Sequence, residues 1–350
     1  MILDFIFALT SHDLAIDLGT ANTLVAVKNK GIVIREPSVV ARHRKTKQIL
    51  AVGGEAKKML GKTPRTIEAF RPLNDGVIAD FDATEAMLRH YIQLIHENPR
   101  SIIPRIPRPR VVVGIPSGVT EVERRAVSEA ALAAGARSAY LVEEPMAGAI
   151  GSKLPVEDSR GSMIVDIGGG TTEIAVISLG GIVINRSLKI AGDELDEAII
   201  TYVRMKHALL LGQPSAEATK IAIGSAFHTR EEKYTVVRGR DLESGLPKSV
   251  KLSSSEIREA LANPIHEIID AINETVEEIP PELIGDVLEQ GITLAGGGAL
   301  TLGLDKAVAE ATKMPVWVSP DPLTCVVRGA YILLSNSKLL EKVKVTGGLK

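Results

Sequence analysis

Two stretches of the chain, far apart in the sequence, repeat one pattern of apolar and polar positions. Residues 17–27 read DLGTANTLVAV and residues 166–176 read DIGGGTTEIAV, with the same residue at five matching places. An apolar run precedes each stretch, and a second one follows its polar middle. This order predicts a strand, a tight polar turn and another strand, which form a β-hairpin. The shared positions indicate an internal duplication.

A second unit of secondary structure follows each hairpin. Residues 111–115 (VVVGI) predict a buried strand, followed by a turn with proline and glycine and then a helix. Thr120 and Glu123 have the spacing of a capping box at the start of that helix. Residues 292–295 (ITLA) predict another strand, followed by three glycines and a helix. Strands that alternate with helices favour an α/β fold class.

The length of 350 residues predicts two domains, because a single core rarely grows past a few hundred residues. Polar segments in each half indicate smaller subdomains. The predicted boundaries are 1–32, 76–155 and 328–350 for the first large subdomain, 33–75 for the first small one, 156–190 and 251–327 for the second large one, and 191–250 for the second small one. The last segment is predicted to start with a helix over 193–210 and to end in a hairpin-like stretch.

Composition excludes several classes of partner and site. The net charge of −2 offers no general attraction for nucleic acid, and aromatic residues at 3% are too sparse for stacked-base recognition. Cys325 stands alone, which excludes a disulfide framework and a multi-cysteine zinc site within the chain. The seven histidines are scattered and form no pair at metal-ligand spacing.

The N-terminal residues 1–9 read MILDFIFAL and are nearly all apolar. No stretch of the chain reaches the roughly 20 apolar residues that span a bilayer. The N-terminus lacks a basic region, contains Asp4 and is followed by no small-residue cleavage site, so a signal peptide is not expected. The sequence predicts a cytoplasmic protein.

The two hairpin turns combine groups that bind phosphates. Glycine lets the backbone come close to a ligand and present its N–H groups, and threonine hydroxyls add further donors. Two such turns would hold a phosphate chain from both sides. Asp17 and Asp166 would then lie near one Mg²⁺ ion and bind it through water, because magnesium keeps several of its waters. The alternative is that these are ordinary glycine turns, and that Gly296–Gly298 is a packing turn.

With these features in place, the chain resembles a known superfamily. The order DLGTANT, VEEPMAGAI, DIGGGTTE, AGGGAL and VVRGAY is similar to that of actin, heat-shock chaperone ATPases and sugar kinases. The closer resemblance is to the MreB/Mbl family of bacterial actin homologues, and it covers nearly the whole chain from about residue 13. It implies an actin-like ATPase fold of two homologous domains, each with a smaller inserted subdomain and with a nucleotide cleft between them.

The resemblance also implies roles for individual residues. Around the phosphates and metal it implies a first loop at Asp17, Gly19, Thr20, Ala21, Asn22 and Thr23, and a second at Asp166, Gly168, Gly169, Gly170 and Thr172. Around the adenosine it implies Gly296, Gly297, Gly298, Ala299 and Leu300, the segment Glu217, Ala218, Thr219 and Lys220 beside ribose and base, and Glu194 and Glu197 near the ribose.

For hydrolysis, Glu144 matches the glutamate that positions the attacking water, and Thr171 matches a hydroxyl beside the γ-phosphate. Glu143 is the competing candidate for the first role and Glu123 a weaker one. The chain departs from the family at Ala222, where a glutamate is frequent, which leaves one nucleotide contact in doubt.

Two segments are candidates for contact with a membrane. The first comprises Ile2, Leu3, Phe5, Ile6 and Phe7, which could lie in the interface as an anchor. The second is residues 98–110, an apolar tip with Ile102 and Ile103 among four arginines and four prolines. Basic residues near anionic lipid contribute about 1 kcal/mol each. The alternatives are an N-terminus packed on its domain and a solvated linker.

The sequence therefore predicts a cytoskeletal ATPase that binds ATP or ADP with Mg²⁺, assembles with itself into filaments that stimulate hydrolysis, and lies on the inner face of the cell membrane. Assembly into filaments rests on the resemblance, and a role in cell shape, with wall-synthesis proteins as partners, is implied by the resemblance alone. A small-molecule kinase of the same superfamily and a scaffold that binds nucleotide without hydrolysing it stay open as alternatives, as does GTP in place of ATP.

Overall fold

The computed structural model describes residues 11–97, 107–228 and 230–345. The predicted membrane residues of both segments, from Ile2 to Phe7 and at Ile102 and Ile103, lie outside this part of the chain. The chain divides into two units. Unit 1 comprises Met1–Ser159, Ile177–Val183 and Leu323–Lys350, and unit 2 comprises Arg160–Val176 and Ile184–Pro322. The finer division into four subdomains stays a prediction.

The strands of the described residues are β1 Leu14–Leu18, β2 Asn22–Val27, β3 Gly31–Pro37, β4 Val40–His43, β5 Ile49–Val52, β6 Ile67–Phe70, β7 Leu73–Asn74, β8 Val77–Ile78, β9 Arg110–Ile115, β10 Ser138–Glu143, β11 Ser162–Ile167, β12 Thr172–Ser178, β13 Gly181–Leu188, β14 Leu209–Leu210, β15 Tyr234–Asp241, β16 Pro247–Ser253, β17 Ile292–Ala295 and β18 Val316–Val318.

The helices of the same residues are α1 Gly54–Lys57, α2 Phe81–His96, α3 Glu121–Ala133, α4 Glu144–Gly151, α5 Gly192–His207, α6 Gln213–Ile223, α7 Ser254–Glu277, α8 Pro281–Gln290, α9 Leu304–Thr312, α10 Cys325–Ser335 and α11 Ser337–Val343.

Two five-stranded sheets with matching strand order organise the described residues. The first has the order β10-β9-β1-β2-β3, and the second has the order β18-β17-β11-β12-β13. In each, a strand ending in the Asp-x-Gly motif lies between its hairpin partner and a later strand that runs parallel to it. Both predicted hairpins are present, and the common order agrees with the inferred duplication. The predicted α/β, actin-like fold class is confirmed.

Parallel pairing brings the ends of several strands to one edge of each sheet. In the first sheet, Asp17 on β1 is level with Gly114 on β9, and Gly114 is level with Val142 on β10. In the second sheet, Asp166 on β11 is level with Ala295 on β17. Because ligands of such sheets bind beyond the carboxyl ends of the strands, these two edges are where a site is expected.

Smaller antiparallel sheets occupy the two polar segments. Strands β4, β5 and β6 form one, and β14, β15 and β16 form the other. The predicted hairpin-like stretch is the β15–β16 pair. The helix predicted over 193–210 was too long: α5 ends at His207, because Leu209 and Leu210 pair as strand β14 with β15. Ala208 makes the change of direction in a left-handed conformation, with φ of 50°.

The prediction after the three glycines also needs correction. Gly297–Leu300 forms a 3₁₀ turn, and the α-helix begins only at Leu304. Gly296, Gly298 and Gly303 all stand where a side chain would overlap a neighbour, so this segment requires glycine at three places. By contrast, the capping box of Thr120 and Glu123 is present at the start of α3, as predicted.

Each unit has its own hydrophobic core. The core of unit 1 includes Leu14, Ile16 and Val113 of the sheet and Met87 of α2, all at most 1% exposed. The core of unit 2 includes Val165 and Ile174 of the sheet and Ile199 and Leu261 of the helices, all fully buried. Among the described residues, no helix combines the length and the apolar character that crossing a bilayer requires.

Candidate functional site

The first hairpin turn, in unit 1, is held in shape by a serine from the next strand connection. Ser38 Oγ donates to Gly19 O at 2.6 Å and lies 2.8 Å from Thr23 Oγ1. Ser38 N–H also donates to Ala21 O. A Cβ on Gly19 would lie 2.9 Å from Asn22 O, so the turn requires glycine there. The turn is therefore tight and preformed.

Some of the predicted residues of the first loop are hydrogen-bonded within the protein, and others lie at the exposed end of the turn. Thr23 is fully buried, and its hydroxyl belongs to the Ser38 hydrogen bonds, so it stabilises the turn. Thr20 accepts the N–H of Gly76 at 2.9 Å. Ala21 and Asn22 lie at the partly and largely exposed end of the turn. Ser38 and Gly76 were not predicted as site residues.

Asp17 lies at the edge where the first sheet can meet a ligand. The low-dielectric surroundings of its side chain raise the pKa of Asp17 to about 7. A nearby cation favours the charged form of a carboxyl group, so a bound metal would lower that pKa. The position and the electrostatics of Asp17 are those of a group that would pair with a cation.

Glu144 lies close to the edge of the first sheet where Asp17, Gly114 and Val142 stand at the same level. It is the first residue of α4 and directly follows β10. Gly114, level with Asp17, has no side chain, and a Cβ there would lie 3.5 Å from Glu144 Cγ. The same Cβ would lie 2.8 Å from Val326 Cγ1 of α10, so the glycine is required by the packing of α10, while the Glu144 side chain lies at ordinary contact distance from this sheet edge.

The two rival glutamates have other surroundings. Glu123 accepts the N–H of Thr120 at 2.7 Å as part of the α3 capping box, which gives it a structural role. Glu143 precedes α4, and burial raises its pKa while the charge of Arg124 lowers it. The geometry favours Glu144 over Glu123 and leaves Glu143 as the residue to compare with it.

The second hairpin turn, in unit 2, packs on the start of helix α5. Gly192 N–H donates to Gly168 O at 3.2 Å, and Asp193 N–H donates to Gly169 O at 2.8 Å. In a trans peptide the C=O and the following N–H point in opposite directions. The N–H groups of Gly169 and Gly170 therefore point away from α5, which is the direction from which an anion can accept them.

The threonines of this turn also differ. Thr172 is fully buried and donates to Ile190 O at 2.6 Å, so it anchors the turn to the connection between β13 and α5. Thr171 is buried at the turn itself, and its carbonyl accepts the N–H of Gly168 at 2.8 Å. A hydroxyl beside a phosphate stays a prediction for Thr171.

Asp166 and the three-glycine turn meet at the edge of the second sheet. Gly296 has φ of 78°, and a Cβ there would overlap Asp166 Oδ1 and Ile167 O. A Cβ on Gly298 would overlap the side chain of Ile167. Both positions require glycine because the turn packs directly against the end of β11. Of the other three residues predicted in this turn, Ala299 is buried, and Gly297 and Leu300 are exposed.

The remaining predicted residues of unit 2 lie on α5 and α6. Glu194 accepts the N–H of Ala191 at 2.8 Å, and Glu197 is exposed. On α6, Thr219 donates to Ser215 O, which gives it a helix-stabilising role. Lys220 turns back toward α5, where it forms an ion pair with Asp196. The helix further presents Glu217, which is partly exposed, and Ala218 and Ala222, which are exposed.

The residues present fit a magnesium ion that is bound mainly through water and phosphate. Within the described ranges, no group of three or more His, Cys, Asp or Glu side chains could hold a metal ion. Mg²⁺ in phosphate sites typically takes one or two protein carboxylates and keeps waters. Asp17 in unit 1 and Asp166 in unit 2 are the carboxylates available at the two sheet edges.

Fold and site together define an actin-like, nucleotide-binding class of protein. The crystal structure of MreB5 of Spiroplasma citri bound to ADP aligns with a TM-score of 0.88 and 40% sequence identity, covering 94% of this chain and 98% of that one. The same protein bound to AMPPNP aligns equally well. A MamK double helical filament shares the fold, with a TM-score of 0.76 at 24% identity over 93% of this chain and 99% of that one.

The family model described as MreB/Mbl protein matches residues 11–342. The cell shape-determining protein MreB of Escherichia coli K12 is 52% identical over 342 residues, covering 97% of this chain and 96% of the relative. The cell shape-determining protein Mbl of Bacillus subtilis 168 is 44% identical, covering 96% and 99%. The chain belongs to the MreB/Mbl family.

Proposed function

We propose that the protein is a bacterial actin-like ATPase that binds ATP with Mg²⁺. The observation that carries the proposal is the edge of the second sheet, where the Gly296 turn packs against Asp166 and where the N–H groups of Gly169 and Gly170, in the turn after the same strand, point away from α5. A phosphate chain needs these donors together with a cation. MreB5, which is 40% identical to this chain, was crystallised with ADP and with AMPPNP, and this supports the proposal.

The chain's own groups would divide the work of hydrolysis. Phosphoryl transfer to water depends on positioning and on neutralisation of charge. Glu144 would accept a hydrogen bond from the attacking water and orient it. The turn N–H groups and the Thr171 hydroxyl would donate to phosphate oxygens. When bound, Mg²⁺ would neutralise part of the phosphate charge, held near Asp17 and Asp166.

The cellular role that we propose is a filament on the inner face of the cell membrane that determines cell shape. Relatives at 52% and 44% identity are named cell shape-determining proteins. Because the chain belongs to this family, the proposal also includes three further properties. These are assembly with itself into filaments, hydrolysis coupled to that assembly, and contact with wall-synthesis proteins. Head-to-tail contacts that do not close into a ring produce filaments.

One feature of unit 1 supports the membrane part of the proposal. Described residues next to the apolar parts of the two predicted membrane segments lie together. Arg108 N–H donates to Ser11 Oγ at 3.1 Å, and His96 Nε2 accepts the N–H of His12 at 2.9 Å. Both segments are thus joined to unit 1 at one place, and weak lipid contacts at one place add through avidity in a filament.

The test is ATP-dependent sedimentation on anionic liposomes, followed by electron microscopy. The wild-type protein is compared with a variant that lacks residues 1–9. We expect filaments on the lipid with Mg-ATP, and loss or weakening of lipid binding in the truncated variant. A nucleotide-bound monomer under all conditions would contradict filament formation, and phosphorylation of a small metabolite would instead identify a kinase.

A further inference from the structure

A buried ion pair links two of the nucleotide-binding elements of unit 2. Asp196 lies on the inner side of α5 and is only 2% exposed, and Lys220 of α6 lies with its Nζ 2.8 Å from Asp196 Oδ1. Lys220 Nζ also donates to Gly192 O at 2.6 Å. The side chain of Lys220 therefore joins α6 to two residues of α5, Gly192 and Asp196.

The first residue of α5 in turn carries the second phosphate loop. Gly192 N–H donates to Gly168 O, and the next N–H, of Asp193, donates to Gly169 O. There is little free space at this junction, because a Cβ on Gly192 would lie 3.2 Å from Gly168 O and 3.4 Å from Lys220 Nζ. Contacts thus run without a gap from Asp196 through Lys220 and Gly192 to the loop.

The charge on Asp196 is costly to hold in this place. Burial is the main cause that raises the pKa of Asp196 to about 6; Lys220 lowers that pKa, and the charges of Glu217 and Asp193 raise it by smaller amounts. Buried ion pairs often add little to stability compared with apolar packing, whereas removing one partner leaves a charge without compensation. A pair of this kind at a ligand site is better explained by the position that it imposes on Lys220 and α6.

We propose that Asp196 is a positioning residue of the nucleotide site, which sets nucleotide affinity by holding Lys220 and thereby fixing α6 relative to the loop Gly168–Gly170. This inference rests on the proposed function, because Lys220 and Glu217 are the residues expected beside ribose and base. Asp196 makes no contact with the nucleotide in this account. It acts only through Lys220.

The test is a double-mutant cycle with Asp196→Asn and Lys220→Gln, measuring the Kd for ATP by calorimetry and steady-state kcat and KM. We expect D196N to raise Kd and KM about tenfold, a loss of roughly 1.4 kcal/mol, with kcat changed less than about twofold, because uniform binding is lost and not transition-state binding. The D196N change should have no further effect on Kd in the K220Q background.

The matched control is Glu274→Gln, which removes an acid from the exposed pair of Glu274 with Arg186 in the same unit. It should leave Kd and KM unchanged. If D196N only destabilised the fold, the fraction of active protein would fall while the Kd of the remaining sites stayed the same, and this would overturn the inference. An additive effect of the two changes on Kd would also overturn it.

Should D196N fail to fold, the cycle still gives an answer. In the double variant D196N/K220Q neither partner of the ion pair keeps a charge, so no buried charge lacks a partner. If Asp196 acts through Lys220, the Kd of the double variant must equal that of K220Q. A weaker Kd than that of K220Q would contradict the inference. Wild-type protein that binds no ATP would refute the proposed function itself, whereas wild-type binding with an unchanged D196N would refute only the role of Asp196.

Discussion

The backbone of Gly296 and the carboxylate of Asp166 occupy adjoining space so closely that no side chain fits between them. A Cβ on Gly296 would overlap Asp166 Oδ1 and also Ile167 O, and the φ of 78° independently favours glycine. The three-glycine turn and the aspartate at the end of β11 are therefore one structural unit. Phosphate binding and adenosine binding in unit 2 should fail together when this contact is disturbed.

The first prediction concerns Gly296→Ala. The new methyl group must displace Asp166 or the end of β11, and the backbone conformation disfavours alanine. We expect ATP affinity to fall at least about tenfold, equivalent to roughly 1.4 kcal/mol, as measured by calorimetry.

The matched control for this variant is Gly285→Ala. Gly285 lies within α8, and nothing lies within 4 Å of a Cβ built there. Alanine in a helix interior is favoured over glycine by about 0.5–1 kcal/mol, so this variant should bind ATP normally and melt at a slightly higher temperature. Normal ATP binding by G296A would refute the assignment of this turn to the site.

The second prediction concerns Glu144→Gln. The amide keeps the size of the side chain but orients water poorly, so we expect kcat for ATP hydrolysis to fall by about 100-fold or more while the Kd for ATP stays within about twofold. Release of phosphate from Mg-ATP in single-turnover experiments is the measurement. Filaments should still form.

Glu143→Gln is the comparison for Glu144. Its carboxyl group is half-buried before α4 and interacts electrostatically with Arg124. A nearly normal kcat for E143Q would keep the water-positioning role with Glu144. The reverse result, a large loss in E143Q and none in E144Q, would transfer that role to Glu143.

The third prediction concerns the contact of α4 and α10, which holds Glu144 in place in unit 1. A Cβ on Gly329 would overlap Ala147 O, and a Cβ on Gly151 would overlap Cys325 O, so the two helix backbones touch at glycines. Gly329→Ala should lower the free energy of unfolding by about 3 kcal/mol, because overpacking must push the helices apart. Urea unfolding measures this, and a stability equal to that of wild type would contradict the close packing.

The fourth prediction is a pH dependence of stability at Asp196. Burial raises the pKa of Asp196 from 3.8 to about 6, so between these values the folded protein binds more protons than the unfolded chain. The free energy of unfolding that Asp196 contributes is therefore largest at acidic pH and is lost as the pH rises through about 6. The difference in stability between wild type and D196N should shift in favour of wild type by on the order of 2 kcal/mol from pH 7 to pH 4.

Urea unfolding at several pH values checks this prediction, with E274Q as the control whose pH dependence should follow that of wild type. A difference between wild type and D196N that does not vary with pH would mean that Asp196 is already ionised in both states over this range.

Much of the site could be predicted from the sequence because its chemistry depends on local motifs. The Asp-x-Gly turns, the glycines at 296 and 298 and the glutamate before Pro145 each combine a residue type with a neighbouring strand end, and the structure places them at two sheet edges. The capping box of α3 was predictable for the same reason, since Thr120 and Glu123 contact each other across three residues.

The sequence by itself thus determined the family, the two hairpins and the residue types at the phosphate turns. Only the tertiary structure decided which of those residues are hydrogen-bonded within the protein: Thr23 bonds to Ser38 and Thr172 to Ile190 O, because the connections that follow β3 and β13 pack beside the turns. It also ended α5 at His207, since pairing of Leu209 with Asp241 outweighs local helix propensity. The pairing of Asp196 with Lys220 is likewise absent from any local pattern, because it depends on how two separate helices pack.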